Sequence, residues 1–562
     1  MSQKSHTEWQ EIRDRKLADV AARISSEWQI PSSALPSTSV SNVTSIPTTC
    51  GILTSKEIRI TEAHSGRSLL AALRNRELTA LEITTAFCKR AAITHQVTSC
   101  LTEPLFRPAI ARAQFLDAHL ARTGQPLGPL HGLPVSVKDA FNIVGYDSTC
   151  GIASLCDKPA TRNAPLVQFL LDAGAIIHCK TNLPQTALAI DSVNNIYGRV
   201  LNPQNRQEWT AGGSSGGEGV LVKMRGSVFG IGTDVGGSVR IPAMCNGIVG
   251  FKPSAGRIPR GGQEAGQPAE AGKVSLESAV GVIARGWDDV DLFSDVVERA
   301  KLWELDQEIM PGEWWRNIGI HGEQKQNVTI GVIWKDGVTE PLPPIRRVME
   351  EVLQKLRSKG ISVVEIEAPR FKDCQALANK FFSAEGSNHL IDRIEETGEH
   401  LIPWLAARLK RKTPASLDKY RDLAAQRLQL QNDFLSIWKT PNGQDVDAII
   451  TPTAPHPVPP IDKWNTMSYT SSFVLLDYPA AHLPVRAVDE GDLKGEMPDQ
   501  VLSPWDKVNR ELWDTQKINR ESYLGSPLGV QVIAPRLQEK RLFDACLCIQ
   551  EAVGSTERAS KL

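Results

Sequence analysis

The chain lacks a Cys-x-x-Cys pair, a long apolar run and an excess of charge of either sign. Its ten cysteines are scattered at 50, 88, 100, 150, 156, 179, 245, 374, 546 and 548, with no histidine at zinc-site spacing. That pattern argues against a disulfide framework or a structural metal. No stretch approaches the ~18 consecutive apolar residues of a membrane span, and the opening MSQKSHTEWQEIRDRK has no apolar signal-peptide core. The chain therefore reads as soluble and intracellular, so the sequons at Asn42 and Asn327 carry little weight. Lys+Arg number 63 against 64 Asp+Glu, a formal charge of -1, which leaves no global field to draw nucleic acid or an anionic membrane. No internal repeat is visible.

What is present is an ordinary globular composition, 41% hydrophobic and 23% charged over 562 residues, enough for several domains or one large one. Residues 8–28 place apolar residues at helical spacing and predict an amphipathic arm. The Ser/Thr/Pro-rich stretch 31–49 then predicts a linker or surface wrap. From about residue 57, helical segments precede a glycine-dense, β-branched region between Gly128 and Pro253, while 447–455 and 527–535 read as buried strands. Residues 297–440 are richer in charge and helix formers. Strands so far apart imply one sheet threaded by the whole chain. The expected organisation is an arm and linker over 1–56, one α/β catalytic domain over 57–556 with a large mixed sheet covered by helices, and a tail over 557–562.

The chemistry concentrates between Thr210 and Ser238, where ten glycines stand with six serines and threonines. Glycine serves where backbone turns sharply or approaches a ligand, and successive small residues can aim several N–H groups at one point. The segment fits neither the Walker A template nor the dinucleotide fingerprint. Gly212–Gly216 does satisfy Gly-x-Ser-x-Gly, but a nucleophile elbow follows a buried strand, and NRQEWTA (205–211) is not one. His456 or His482 could nominally complete a Ser-His-Asp triad, and an esterase of that kind stays as an alternative.

GGSSGGEG (212–219), GTDVGGSVRIP (232–242) and GLPVSVKD (132–139) together resemble the amidase signature family. KTNLPQ (180–185), NNIYGRVLNP (194–203), TPTAP (451–455) and SPLGVQVIAP (526–535) extend the likeness over most of residues 60–555. The arm, CGILTSKEIRITE (50–62) and AFCKRAAI (86–93) make the chain most similar to the fungal acetamidase, or general amidase, branch.

The resemblance implies a Ser-cis-Ser-Lys triad: Ser238 as nucleophile, Ser214 as the cis-serine after Gly213, and Lys138 as base. Ser238 lies 24 residues after Ser214, the separation this family leads one to expect, whereas Ser215 would be one residue off. Backbone N–H groups of Val235, Gly236, Gly237 and Ser238 correspond to an oxyanion hole, braced by Asp234 and Arg240. Ala187 and Leu188 lie near the acyl cavity by the same resemblance. A serine hydroxyl needs a neighbour to take its proton, and a lysine can do so only when neutral. Its ordinary pKa of about 10.4 must therefore fall towards neutrality, at a cost of about 3–4 kcal/mol that burial among Leu133, Pro134, Val135 and Val137 can impose. The competing reading of Lys138 is an ion pair with Asp139. No cofactor is needed.

The expected activity is hydrolysis of a carboxylic amide to the acid and ammonia or an amine through an acyl-enzyme. A transamidase subunit passing ammonia to a partner-bound substrate is the other reading within the family; turnover of simple amides without a partner separates the two. A catalytically silent scaffold conflicts with three intact triad positions. Expected partners are a small-molecule amide, a second copy of the chain and a peroxisomal import receptor. The last expectation comes from Ser560-Lys561-Leu562, whose alternative reading is a coincidence in a cytoplasmic protein.

Overall fold

The computed structural model describes residues 8–266, 274–316 and 328–554. The expected targeting tail 557–562 and the Asn327 sequon lie outside the described residues. The core is an eleven-stranded mixed sheet. Its strands are β1 (Leu101–Pro104), β2 (Pro134–Lys138), β3 (Ile176–Thr181), β6 (Phe229–Asp234), β7 (Val249–Lys252), β8 (Ala279–Ala284), β9 (Thr329–Val332), β10 (Ser362–Glu365), β11 (Ala448–Thr451), β12 (Ala480–Ala487) and β13 (Pro527–Ile533). A separate two-stranded ribbon joins β4 (Val193–Asn194) to β5 (Gly198–Arg199). Across the large sheet the order is β1-β3-β2-β6-β8-β7-β12-β13-β11-β9-β10.

Strand direction follows connectivity. β2 runs parallel to both β3 and β6, and between them the chain crosses over through helices, as parallel pairing demands. The middle, from β6 through β8, β7, β12 and β13 to β11, is antiparallel. β9 and β10 restore parallel pairing beyond β11. Both faces are covered, so the central strands are buried on both sides: all five residues of β2 and all seven of β13 are inaccessible.

Two strands depart from the sequence expectation. β9 and β10 lie inside 297–440, where charge and helix formers predominate. β9 is a four-residue apolar run (TIGV), and β10 (SVVE) is an exposed-to-intermediate edge strand too short for its alternation to stand out. Tertiary pairing, not local propensity, makes them strands.

The predicted arm is a helix over Glu8–Ala22, followed by a 3-10 turn at Ser26–Trp28. Its inner face is less apolar than the spacing implies. Trp9 and Val20 are buried, but Leu17 is exposed and the remaining buried residue is Lys16. Lys16 Nζ donates to Glu103 on β1 at 2.7 Å and to Asp147 at 3.0 Å, and Arg23 pairs with the same glutamate. The stretch after it wraps the surface: Arg206 donates to the carbonyls of Pro36, Ser37 and Val40, and Val43 N–H to that of Pro203 at 2.8 Å.

Candidate active site

Three segments converge where β2 lies beside β6. In the parallel register Ser136 pairs with Gly230 and Val137 with Ile231, so alternation puts Ser136, Lys138, Gly230 and Gly232 on one face. The loop 212–215 and the helix Gly216–Lys223 press on that face. Gly232 is needed for this approach: a Cβ there would stand 2.6 Å from Ser215 Oγ and 3.1 Å from Val239. At Gly213 a Cβ would meet the backbone of Ala189–Asp191 at 2.7–2.9 Å. The Gly213–Ser214 peptide is cis.

Lys138 is fully buried, and its ammonium nitrogen meets two hydroxyls, Ser214 Oγ at 2.7 Å and Thr233 Oγ1 at 2.8 Å. Burial pushes its pKa down to about 8, against the opposing pull of Asp234, Glu218 and Asp139. The alternative pairing with Asp139 does not occur. Asp139 accepts instead from Thr102 Oγ1 at 2.9 Å, from the Thr149 hydroxyl at 2.9 Å and N–H at 2.8 Å, and from Cys150 N–H at 2.9 Å. Beneath the lysine sits Glu218, accepting from Ser136 Oγ at 2.5 Å and Thr181 Oγ1 at 2.8 Å. Burial raises that carboxyl to about 8.

Of the two adjacent serines, it is Ser214 that reaches Lys138. Ser215 is buried, its hydroxyl has no partner among the described residues, and its N–H donates to the Ser238 carbonyl at 3.1 Å. That bond ties the two serine loops together. Ser238 opens the turn before the helix Arg240–Asn246 and lines a cavity of about 480 Å³, shared with Val235, Gly236, Ala187 and Leu188. The predicted pocket pair thus faces the same space as the predicted nucleophile.

The turn is held from behind by a buried strut. Arg240 meets Asp234 through two nitrogens, at 2.9 and 3.0 Å, and also donates to Gln531 on β13 at 2.6 Å and to the Thr470 carbonyl at 3.0 Å. Burial alone would raise the Asp234 carboxyl, but the guanidinium outweighs it and holds the group below its ordinary range. Thr470 Oγ1 adds a 2.6 Å bond to the Gly236 carbonyl.

One expected oxyanion donor is already engaged. The Gly237 N–H donates to Asp234 Oδ1 at 2.7 Å, because the carboxylate that braces Arg240 sits directly under the turn. The N–H groups of Val235, Gly236 and Ser238 have no acceptor among the described residues.

Sequence reasoning missed Thr233, Glu218 and the far wall of the cavity. Thr233 stands within GTDVGGS one residue past Gly232, on the face that strand alternation turns away from Lys138, so no sequence signal marks it and only the 2.8 Å contact at the end of β6 reveals it. The far wall is built by Gln375, Phe382, Trp404 and Met467, residues in no recognisable motif.

Among the described residues no helix is long and apolar enough to cross a membrane, and no His/Cys/Asp/Glu group is arranged to hold a metal ion. Comparison with known proteins agrees with this geometry. The Amidase family model matches residues 82–543. The acetamidase of Emericella nidulans is 35% identical over 553 residues, covering 97% of this chain and 98% of that protein. The acetamidase of Aspergillus oryzae is 34% identical, with 97% and 98% covered. Among solved structures, a fatty acid amide hydrolase superposes with a TM-score of 0.85 at 26% identity, covering 98% of this chain and 96% of that one. Matches that run nearly end to end, on a fold that brings the two serine loops and the lysine strand together, show that this chain belongs to the amidase signature family and is an amide hydrolase.

Proposed function

We propose that the chain hydrolyses a carboxylic amide in two half-reactions through an acyl-enzyme on Ser238. Neutral Lys138 takes the Ser214 hydroxyl proton while Ser214 takes that of Ser238, and Ser238 Oγ adds to the amide carbonyl carbon. The carbonyl π electrons move to oxygen, where the free N–H groups at 235, 236 and 238 stabilise the negative charge; each such donor is worth about 3 kcal/mol. The proton on Lys138 returns through Ser214 to the amide nitrogen, the C–N bond breaks, and ammonia or an amine departs. Water then repeats the sequence against the ester, releasing the acid and restoring the Ser238 hydroxyl.

The observation that carries this reading is Lys138, a buried lysine with a pKa near 8 whose ammonium meets a serine and a threonine in place of a carboxylate. With that pKa roughly a tenth to a fifth of the group is neutral near physiological pH, against about a thousandth of an ordinary lysine, and the neutral form is the state a general base needs. The test is ammonia release from a panel of primary amides of graded acyl length, with no partner protein added. A fluorophosphonate should label Ser238 covalently, and Ser238→Ala should abolish both labelling and turnover while its thermal unfolding matches the parent chain. Turnover above a few per cent in that variant refutes the nucleophile.

A further inference from the structure

The cavity that Ser238 faces carries a one-sided charge. Lys380, Arg408, Lys410 and Lys412 contribute to its wall, and no aspartate or glutamate does so among the described residues. None of these four is paired with a carboxylate among those residues. Lys410 turns its ammonium to the Ala406 carbonyl at 2.6 Å, and Arg408 bonds the Trp404 carbonyl at 3.3 Å while lying 4.2 Å from the centre of that indole ring. Burial lowers the Arg408 pKa with no acid opposing it. The neighbouring Arg411, outside the cavity, takes Asp392 and Glu395 at 2.6 Å each, so those acids are spent elsewhere.

The same cavity has a substantial apolar lining, with Leu188, Ile190, Phe382, Trp404 and Met467 beside Ser238 and the cations. A two-carbon acyl group would leave most of 480 Å³ to water, whereas an apolar chain would displace it. A chain that fills this cavity from Ser238 shares it with cations that have no carboxylate partner among the described residues, so a negative terminus is favoured over a neutral or positive one.

Resting on the hydrolase reading above, the geometry points to an amide whose apolar chain ends in an anion, a carboxylate being the simplest, as the substrate class of this site. The carboxylate can belong to the acyl side, as in a monoamide of a linear dicarboxylic acid, or to the amine side, as in an N-acyl amino acid.

The test compares three amides of equal chain length at low ionic strength: a dicarboxylic monoamide, the neutral alkanamide and the ω-amino amide, with an N-acyl amino acid and its N-acyl alkylamine isostere as the second arm. Expected is a kcat/KM for one of the anionic amides about tenfold above its neutral isostere, with the ω-amino amide poorest. The preference should shrink as salt is raised to about 0.5 M. The double variant Lys380→Gln/Lys412→Gln should lower the anionic-to-neutral ratio about fivefold, and Arg408→Gln should lower it as well. Ratios at or below one in both arms overturn the inference. Calorimetric binding of the same compounds to Ser238→Ala separates the two layers. Tighter binding of the anion to the variant, when the parent chain hydrolyses none of these amides, refutes the hydrolase reading alone, and equal binding to the variant beside brisk turnover by the parent chain refutes the charge preference alone.

Discussion

A buried lysine ordinarily demands a carboxylate, and Lys138 has two hydroxyls instead. The consequence is a pH dependence of fixed sign. In the proposed mechanism the working form is neutral, so with a pKa near 8 kcat/KM should fall about tenfold per pH unit below 8 and level off above it. A limb still rising beyond pH 10 would mean an ordinary lysine and would remove Lys138 from the role of base; in Lys138→Ala the limb should vanish and the rate drop by about 10²–10⁴-fold. Thr233 refines the expectation. Its hydroxyl accepts from the ammonium and so favours the charged form, hence Thr233→Val should move the limb to lower pH. A shift to higher pH contradicts the arrangement. Lys138, Ser214 and Ser238 are legible in the sequence because short glycine-flanked motifs carry them. Thr233 and Glu218 are not, because each is a common residue whose meaning arises only when the fold brings the end of β6 and the helix Gly216–Lys223 against the lysine strand.

Among the elements, the adjacency of β2 and β6 matters most, since it converts two distant motifs into one surface. Its weak point is the space that Gly232 leaves for the Ser215 loop. Gly232→Ala would force that loop outward, for a loss of about 1–3 kcal/mol in stability. Activity should fall further than stability explains, because the same loop presents Ser214 to Lys138; chemical denaturation alongside kcat checks the pair. The strut Asp234–Arg240 reads differently. Asp234→Asn leaves a guanidinium buried without its carboxylate, and removing one partner of such a pair costs about 3–5 kcal/mol, measurable as a large fall in Tm. A change below about 1 kcal/mol would show that Gln531 and the Thr470 carbonyl suffice. The strut also explains why the sequence assigns Gly237 a free N–H that it lacks: GTDVGGS gives no sign that the aspartate folds back under its own turn. The strands β9 and β10 escape a sequence reading for a related reason, as edge pairing beyond β11 is set by the rest of the sheet.

For the whole molecule, the reading of one sheet threaded by the full chain agrees with the eleven strands, and the glycine-dense middle is where the two serine loops and the lysine strand come together. The arm is bound by charge more than by apolar area. Burial opposes the Lys16 ammonium, yet Glu103 and Asp147 hold it charged and raise its pKa. Lys16→Met therefore leaves two buried carboxylates without their lysine; a loss of about 3 kcal/mol is expected, and urea unfolding that matches the parent chain would show the arm to be dispensable. The position of β13 has a consequence of another kind. Residues 527–533 lie between β12 and β11, inside the sheet, although they come near the far end of the described chain. On the ribosome, everything up to Ser526 is exposed for tens of seconds, at about 5–20 residues per second, with two strand edges waiting for a partner still to be made. Birth of this protein is thus a period of dependence on chaperones, and a messenger truncated before Pro527 should yield aggregate in place of a smaller enzyme.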